Sequence, residues 1–355
     1  MKSFKIRLLF TARVGIAFCT LLVLGLVATN TALAHGNHVH KPREMMKKSD
    51  YSNLDLSALE QKIISMQYLM PREESIKGLL TRLENIPTQS NVEKVKQLYL
   101  YARVQQHNHD FDKAKQNLSK ALDLSSKDIN SLLLMASVSN NLGEHEAALR
   151  YCKQLLGLAD GTIIAACIVE TKVQINPEQL QTQYQNLQRV AKLSGASNNQ
   201  YQFWVNEILA ELALKMDKPQ IAKGHLNDSI LEQAPVSYIA LWSDIEIALN
   251  NHSHVLDTLS NLTADQNEIN DALLLRLSMA EKAANSKTTW LHAMRRRITE
   301  RSNEHNYAHA AELAKFYLYV DHNPSEAKHW AKVNSNHAKS HMDVDLLAAA
   351  NSMEN

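Results

Sequence analysis

The chain has 355 residues, of which 45% are hydrophobic and 21% charged, and its formal net charge is +1 at pH 7. Nine Gly and seven Pro predict few turns and long helices, and no segment shows the alternation that indicates a β-sheet. Without its first 34 residues, which hold four basic and no acidic side chains, the net charge would be −3, a balance that argues against a nucleic-acid partner.

Residues 1–34 have the pattern of a secretory signal peptide. Four basic residues lie between Lys2 and Arg13, a mostly apolar run extends over 14–28, and Ala32-Leu33-Ala34 is a small-x-small cleavage site. The apolar run has 15 residues, fewer than the roughly 20 that a membrane-spanning helix needs. We therefore expect cleavage near Ala34 and a periplasmic or otherwise exported protein, with membrane contact only through an uncleaved leader.

Residues 35–51 form a polar, charged segment that the sequence predicts to be a flexible arm. The arm places His35, His38 and His40 beside the amino terminus that cleavage would create. The amino group and the imidazole of His35 would then form a chelating pair suited to copper, nickel or zinc. A plain soluble arm that contains His by coincidence is the alternative, and the sequence leaves both open.

From residue 52 to residue 333, apolar residues recur with the period of consecutive helices joined by short turns. A further helix within residues 334–355 would cover the open end of such a stack, because an uncapped end exposes apolar surface. The predicted pairs are 54–69 with 72–83, 92–107 with 111–124, 129–141 with 144–157, 162–174 with 177–193, 199–215 with 219–232, 236–250 with 253–262, 267–284 with 287–301, and 306–320 with 324–334, followed by a last helix at 341–352.

The clearest organisation lies at 95–160, where a 34-residue unit occurs twice. Ala114 and Ala148 are 34 residues apart, and so are Leu118 and Cys152. A fixed period of this length indicates stacked helix pairs, in which small residues let two helices approach closely. The sequence therefore predicts an all-α solenoid of antiparallel helix pairs, with both Ala residues at helix–helix crossings.

The unit resembles the tetratricopeptide repeat. The turn His109-Asp110, the aromatic Phe111, the small Ala114 and the pair Leu118 and Ala121 follow the order of that family. The resemblance, to exported bacterial members, implies a right-handed superhelical solenoid in which the first helix of each pair lines a concave groove. The next unit matches through Gly143-Glu144, His145, Ala148, Cys152 and Leu155, and weaker matches follow at Ala222 with Leu226 and at Ala327 with Ala331.

Cys152 and Cys167 are the two cysteines that follow the leader. An oxidising compartment favours a disulfide between them, and the predicted helices that carry them belong to neighbouring pairs. Two buried small apolar residues would explain the same pattern. The sequence therefore leaves the pairing open.

Three further clusters of polar residues are interpreted as solvated helix surface. His305 with His309, and His337 with His341, lie four residues apart, but no metal-protease pattern surrounds them. The consecutive residues Arg295–Arg297 point in three directions around a helix, so most of them are expected to face solvent.

No nucleophile–base set, phosphate loop or metal-protease motif is visible, so we expect no catalysis. The resemblance instead implies a scaffold that binds a protein or peptide partner in its concave groove. A metal-binding or metal-delivery protein that uses the His-rich arm is the first alternative, and an enzyme subunit is the second. The first helices of the pairs would offer the groove Lys96, Tyr99, Arg103, Asn130, Asn141, Glu207 and Glu211.

Overall fold

The computed structural model describes residues 51–68, 73–193, 201–263, 269–285, 287–304 and 307–353. All regular secondary structure in these ranges is helical, which confirms the predicted all-α class. The predicted leader and most of the His-rich arm lie outside the described residues. The helices are α1 Leu56–Ser65, α2 Glu73–Asn85, α3 Asn91–His107, α4 Phe111–Leu124, α5 Ile129–Asn141, α6 His145–Gln154, α7 Gly161–Ile175, α8 Leu180–Leu193, α9 Gln202–Lys215, α10 Pro219–Lys223, α11 Val236–Ala248, α12 His252–Leu262, α13 Asp271–Ala283, α14 Thr289–Glu304, α15 Ala310–Lys315, α16 Pro324–His337 and α17 His341–Asn351.

Neighbouring helices pack against each other as pairs, beginning with α1 and α2 and ending with α15 and α16. Each odd-numbered helix also contacts the next odd-numbered helix, from α1 through to α17. The central odd-numbered helices therefore have helix neighbours on several sides. Most side chains of α5, α11, α13 and α15 are buried, whereas α1 and α17 have fewer buried residues. None of the described helices is long and apolar enough to cross a membrane.

Side-chain caps define where the first odd-numbered helices begin. Asp55 accepts the N–H of Ala58 at 2.7 Å before α1, and Asp128 accepts the N–H of Ser131 at 2.8 Å before α5. Ser90 and Asp160 cap α3 and α7 in the same way. Each such cap satisfies a backbone donor that has no partner within its helix and is worth about 1 kcal/mol.

The turns inside the pairs repeat one backbone conformation. His109, Gly143, Asp217 and Asn250 follow the first helices of four pairs, and each has a positive φ, between 58° and 77°. The residue after each of them donates its N–H to the carbonyl oxygen five residues earlier, at 2.8 to 3.0 Å. This left-handed helix ending recurs after 34 residues between the first two positions and after 33 between the last two.

The residue five positions after each of these turns is small and fully buried. Ala114 and Ala148, which the repeat predicts to lie at helix–helix crossings, have no exposed surface. The same burial continues beyond the two clearest units, at the weaker sequence matches Ala222 and Ala327 and also at Val255. The equivalent buried residues are Ala222 and Val255, and Ala327 follows the left-handed residue His322 at the same distance.

The predicted helix at 219–232 is wrong in its second half. Helix α10 ends at Lys223, and a separate 3-10 turn follows at Asp228–Gln233. The N–H of Asn227 donates to the hydroxyl of Tyr238 at 2.7 Å, which holds the chain away from a helical path. A tertiary hydrogen bond therefore overrides the local helical periodicity.

The predicted helix at 306–320 is also interrupted. A 3-10 turn at Tyr307–His309 precedes α15, and a π-helical turn at Phe316–Val320 follows it. The N–H of Asp321 donates to the carbonyl of Phe316, five residues earlier, at 3.0 Å. The wider turn inserts one residue into the helical path before the next helix begins at Pro324.

Two backbone hydrogen bonds connect parts of the chain that are far apart in sequence. The N–H of Val236, at the start of α11, donates to the carbonyl of Gln67 at 3.0 Å. The N–H of Lys339, between α16 and α17, donates to the carbonyl of Asn141 at 2.7 Å. The link between α16 and α17 therefore contacts the end of α5 directly, and the start of α11 contacts the segment that follows α1.

Candidate functional site

Buried charged side chains concentrate on the odd-numbered helices in the described part of the chain. These helices have several helix neighbours, so a polar residue on almost any of their faces becomes buried. Both signs of charge occur, and Arg297 on α14 is the exception to the pattern. The members on odd-numbered helices are Arg103, Glu207, Glu211, Asp244, Glu246, Asp271, Arg276, Glu281, Glu312, Lys315 and Asp343. We call this set the inner charges.

Arg276 and Asp244 form the most deeply buried ion pair among the inner charges. Nε and Nη2 of Arg276 donate to the two carboxylate oxygens of Asp244 at 2.9 and 2.8 Å, and each side chain is 2% exposed. A third donor, Nη1, reaches the carbonyl of Ala272 at 3.1 Å. The pair joins α11 to α13 in one orientation, because a guanidinium and a carboxylate meet with two parallel hydrogen bonds.

Asp271, the first residue of α13, contacts three basic side chains. Arg297 donates to one carboxylate oxygen, while Nε of Arg301 and Nδ1 of His309 lie 2.8 and 3.1 Å from the other. Burial alone would raise the pKa of Asp271, but contacts with His309, Arg297 and Arg301 outweigh burial and hold that pKa below its usual value. Arg297, one of the three consecutive Arg residues, therefore points inward together with Arg301.

The three groove residues predicted on α3 have different environments. Lys96 is about one-third exposed and pairs with Glu60 of α1 at 2.6 Å. Tyr99 and Arg103 are buried, at 6% and 5% exposure. The structure thus leaves the start of α3 accessible and covers its middle with other parts of the chain.

The remaining predicted groove residues are largely covered as well. Asn141 is buried, and its Nδ2 donates to the carbonyl of Ser137 at 2.9 Å. Glu207 and Glu211 are buried on α9, and Glu211 pairs with Lys215 at 3.0 Å. Asn130, at the start of α5, is half-buried. The predicted set spans α3, α5 and α9 rather than forming one cluster.

His107 is the last residue of α3, and His109 lies in the turn that follows it. Burial lowers the pKa of His107 to about 3, with contributions from His109, Arg103 and His309. Burial also lowers the pKa of His109 to about 4, and His309 adds to this shift. These electrostatic neighbours place the end of α3 beside the segment that leads into α15, an arrangement without a local sequence signal.

The candidate metal ligands His35, His38 and His40, together with His305, lie outside the described residues. His309 contacts Asp271, His337 stacks on Tyr307 with ring centroids 3.7 Å apart, and His341 lies 3.0 Å from Asp345. Across the described ranges, no group of three or more His, Cys, Asp or Glu side chains is arranged to hold a metal ion.

Cys152 of α6 and Cys167 of α7 form a disulfide in the structure. The two residues are 15 positions apart, and their Cα atoms are separated by 5.6 Å. The bond joins the second helix of one pair to the first helix of the next. It therefore crosses a boundary between neighbouring pairs.

A scan against models of protein families finds no match to this chain, and a search of curated proteins finds no relative. Because these comparisons identify no family, the inner charges are the main structural feature that bears on function. Sequence reasoning missed Asp244 and Arg276, although each is the one charged residue in a mostly apolar run, 236–245 and 272–280. A lone charge in such a segment is the signal that could have marked them as buried and paired.

Proposed function

We propose that the protein is an exported scaffold that binds a protein or peptide partner along the inner face of its first helices, and that it catalyses no reaction. The observation that carries this proposal is the set of inner charges on successive odd-numbered helices. Burying paired charges rarely adds stability compared with apolar packing. Charged groups of both signs on successive first helices are suited to the backbone and charged side chains of a bound peptide once the inner face opens.

In this proposal the helix pairs form a right-handed tetratricopeptide-like solenoid. The left-handed helix ending and the buried residue five positions after it occur in the pairs α3–α4, α5–α6, α9–α10 and α11–α12. They support this architecture, because repeat units share the same turn and the same close crossing. Most predicted groove residues are covered by the chain itself, so partner binding would be coupled to opening of the inner face.

Export belongs to the same proposal. The basic head, the apolar run and Ala32-Leu33-Ala34 support cleavage of a leader. The disulfide between Cys152 and Cys167 fits an oxidising compartment. Amino-terminal sequencing of the mature protein should begin at His35, whereas a mature chain that begins at Met1 would contradict export.

A second candidate function is metal binding by the arm. It is favoured by the three His residues within 35–40, next to the new amino terminus. Calorimetric titration with copper, nickel and zinc should show one site that disappears when 35–40 are deleted. Equal metal binding by the deleted form would show that the arm does not supply the metal ligands.

The partner itself is best sought by crosslinking in the cell envelope, with the mature protein as bait. Lys96→Glu reverses a charge at the accessible end of α3, and Lys113→Glu on α4 is its matched control. Both lysines pair with a carboxylate at 2.6 Å. We expect Lys96→Glu to weaken capture and Lys113→Glu to leave it unchanged, with helicity by circular dichroism intact in both. Equal capture by both variants would show that the partner does not bind at the start of α3.

A further inference from the structure

The link between α16 and α17 is extended and lies against the carboxyl ends of two first helices. Ala338 has φ −125° and ψ 125°, and Ser340 has φ −63° and ψ 161°. The N–H of Lys339 donates to the carbonyl of Asn141, the last residue of α5, at 2.7 Å. The N–H of His341 donates to Oε1 of Gln174, near the end of α7, also at 2.7 Å.

The small side chain of Ala338 enters the amino-terminal core. Ala338 is 5% exposed and belongs to an apolar cluster that includes Leu134 and Val138 of α5. The other buried members of that cluster lie between Tyr51 and Val138, so Ala338 comes from about 200 residues further along the chain. The contact is therefore a small apolar residue from a distant segment, packed against an apolar surface of the amino-terminal helices.

The surface beneath this segment is shaped to admit a backbone. Gly143 has φ +77°, and a Cβ atom on it would lie 3.1 Å from Cβ of Lys339. The carbonyl of Asn141 is one of the helix-end acceptors that have no partner within the helix. An N–H from any extended chain can satisfy it. The exposed Lys339 also lies at the negative end of the α5 dipole, where a cation is favoured.

We infer that the carboxyl ends of α5 and α7 form a peptide-binding surface that the chain's own segment 338–341 occupies as an autoinhibitory contact. The external partner that this surface fits is an extended peptide with a small apolar residue followed by a basic residue. The inference rests on the proposed scaffold function and names the surface by which the scaffold holds its partner. Displacing the internal segment opens that surface.

The test uses a fluorescent peptide with the sequence of residues 334–343 and two full-chain variants that release the segment. Ala338→Glu places a charge in the apolar cluster, and Lys339→Pro removes the N–H that Asn141 accepts. Asn336→Glu, at an exposed position of α16, is the control. Each released variant should bind the peptide at least about tenfold more tightly than the wild type or the control, because a tethered segment competes at an effective millimolar concentration. A peptide with Glu in place of the Ala at position 338 should not bind.

Hydrogen exchange in the wild type keeps the test independent of how the variants fold. Saturating peptide should accelerate amide exchange at Lys339 and His341, and a scrambled peptide should not. Absence of peptide binding by folded Ala338→Glu and Lys339→Pro, or unchanged exchange in the wild type, would overturn the inference. Envelope capture distinguishes the two proposals. Peptide binding without any envelope partner would support the peptide-binding surface and contradict the scaffold function. A partner captured equally by released and control variants would support the scaffold function and contradict the peptide-binding surface.

Discussion

The pairs α3–α6 and the carboxyl-terminal region from α13 to α17 use the same helix-pair arrangement but are held together differently. In α4 and α6 the buried side chains are apolar and mostly small, led by Ala114, Ala148 and Cys152. In the carboxyl-terminal region, buried ion pairs such as Asp271 with Arg297 add to an apolar core that includes Leu274 and Phe316. One architecture therefore accommodates close apolar packing alone or apolar packing combined with ionic pairing at its helix contacts.

The two regions also begin their second helices in different ways. Phe111 follows the left-handed residue His109, and its side chain is 2% exposed, so an apolar contact anchors the start of α4. Helix α14 begins instead on a carboxylate from α13. Glu281 accepts the N–H groups of Thr289 and Leu291 at 3.0 and 2.8 Å. Substitutions that delete a charge should thus be most costly in the carboxyl-terminal region, and those that add volume should be most costly in α4 and α6.

The largest effect is expected for Asp271→Asn. The substitution leaves Arg297 buried without its compensating charge, and breaking a buried pair in this way costs about 3–5 kcal/mol. Urea denaturation followed by circular dichroism measures the loss. Asp321→Asn is the control, because Asp321 pairs with the half-exposed Arg295 and such pairs contribute at most about 1 kcal/mol. Equal losses in the two variants would mean that the Asp271 cluster adds no stability beyond a surface pair.

An intermediate effect is expected for Ala114→Leu. Overpacking a close helix crossing should lower the free energy of unfolding by roughly 1–3 kcal/mol. The same substitution at the exposed Ala283 serves as the control and should stay within about 0.5 kcal/mol of the wild type. A comparable small change at Ala114 would show that the repeat positions are not close crossings.

The smallest effect at neutral pH is expected for a double variant, His107→Gln with His109→Gln. Both imidazoles are neutral in the folded protein, where burial lowers their pKa values to about 3 and 4, while the unfolded chain takes up protons near pH 6.5. Stability should therefore be full above pH 6.5 and fall progressively below it.

Urea midpoints measured between pH 7.5 and pH 5 check this dependence. The wild type should lose stability over that interval, and the double variant should lose less. His329→Gln, at an exposed position, should follow the wild type. Parallel curves for the wild type and the double variant would show that the acid sensitivity comes from other groups.

Much of the helical organisation can be read from local patterns. The repeated Ala114 and Ala148 were predicted to be buried, and the helix limits around them agree closely with α3–α6. The predicted helices at 219–232 and 306–320 are interrupted in the structure. A hydrogen bond to Tyr238 interrupts the first, and a π-helical turn changes the register of the second. The candidate groove residues lie on first helices of their pairs, as the sequence predicted. The sequence did not predict that other parts of the chain cover most of these residues.

Helix formation, caps and turns depend mainly on residues within one or two turns of each other, so the sequence locates most of the helices and fails where a tertiary contact intervenes, as at 219–232. The pairing of Arg276 with Asp244 joins residues 32 positions apart, and the contact of Lys339 with Asn141 joins residues much further apart than that. A charged residue looks the same in a sequence whether it is solvated or buried beside a partner. Burial and pairing depend on which distant helices the stack brings together, so they follow from tertiary packing rather than from local periodicity.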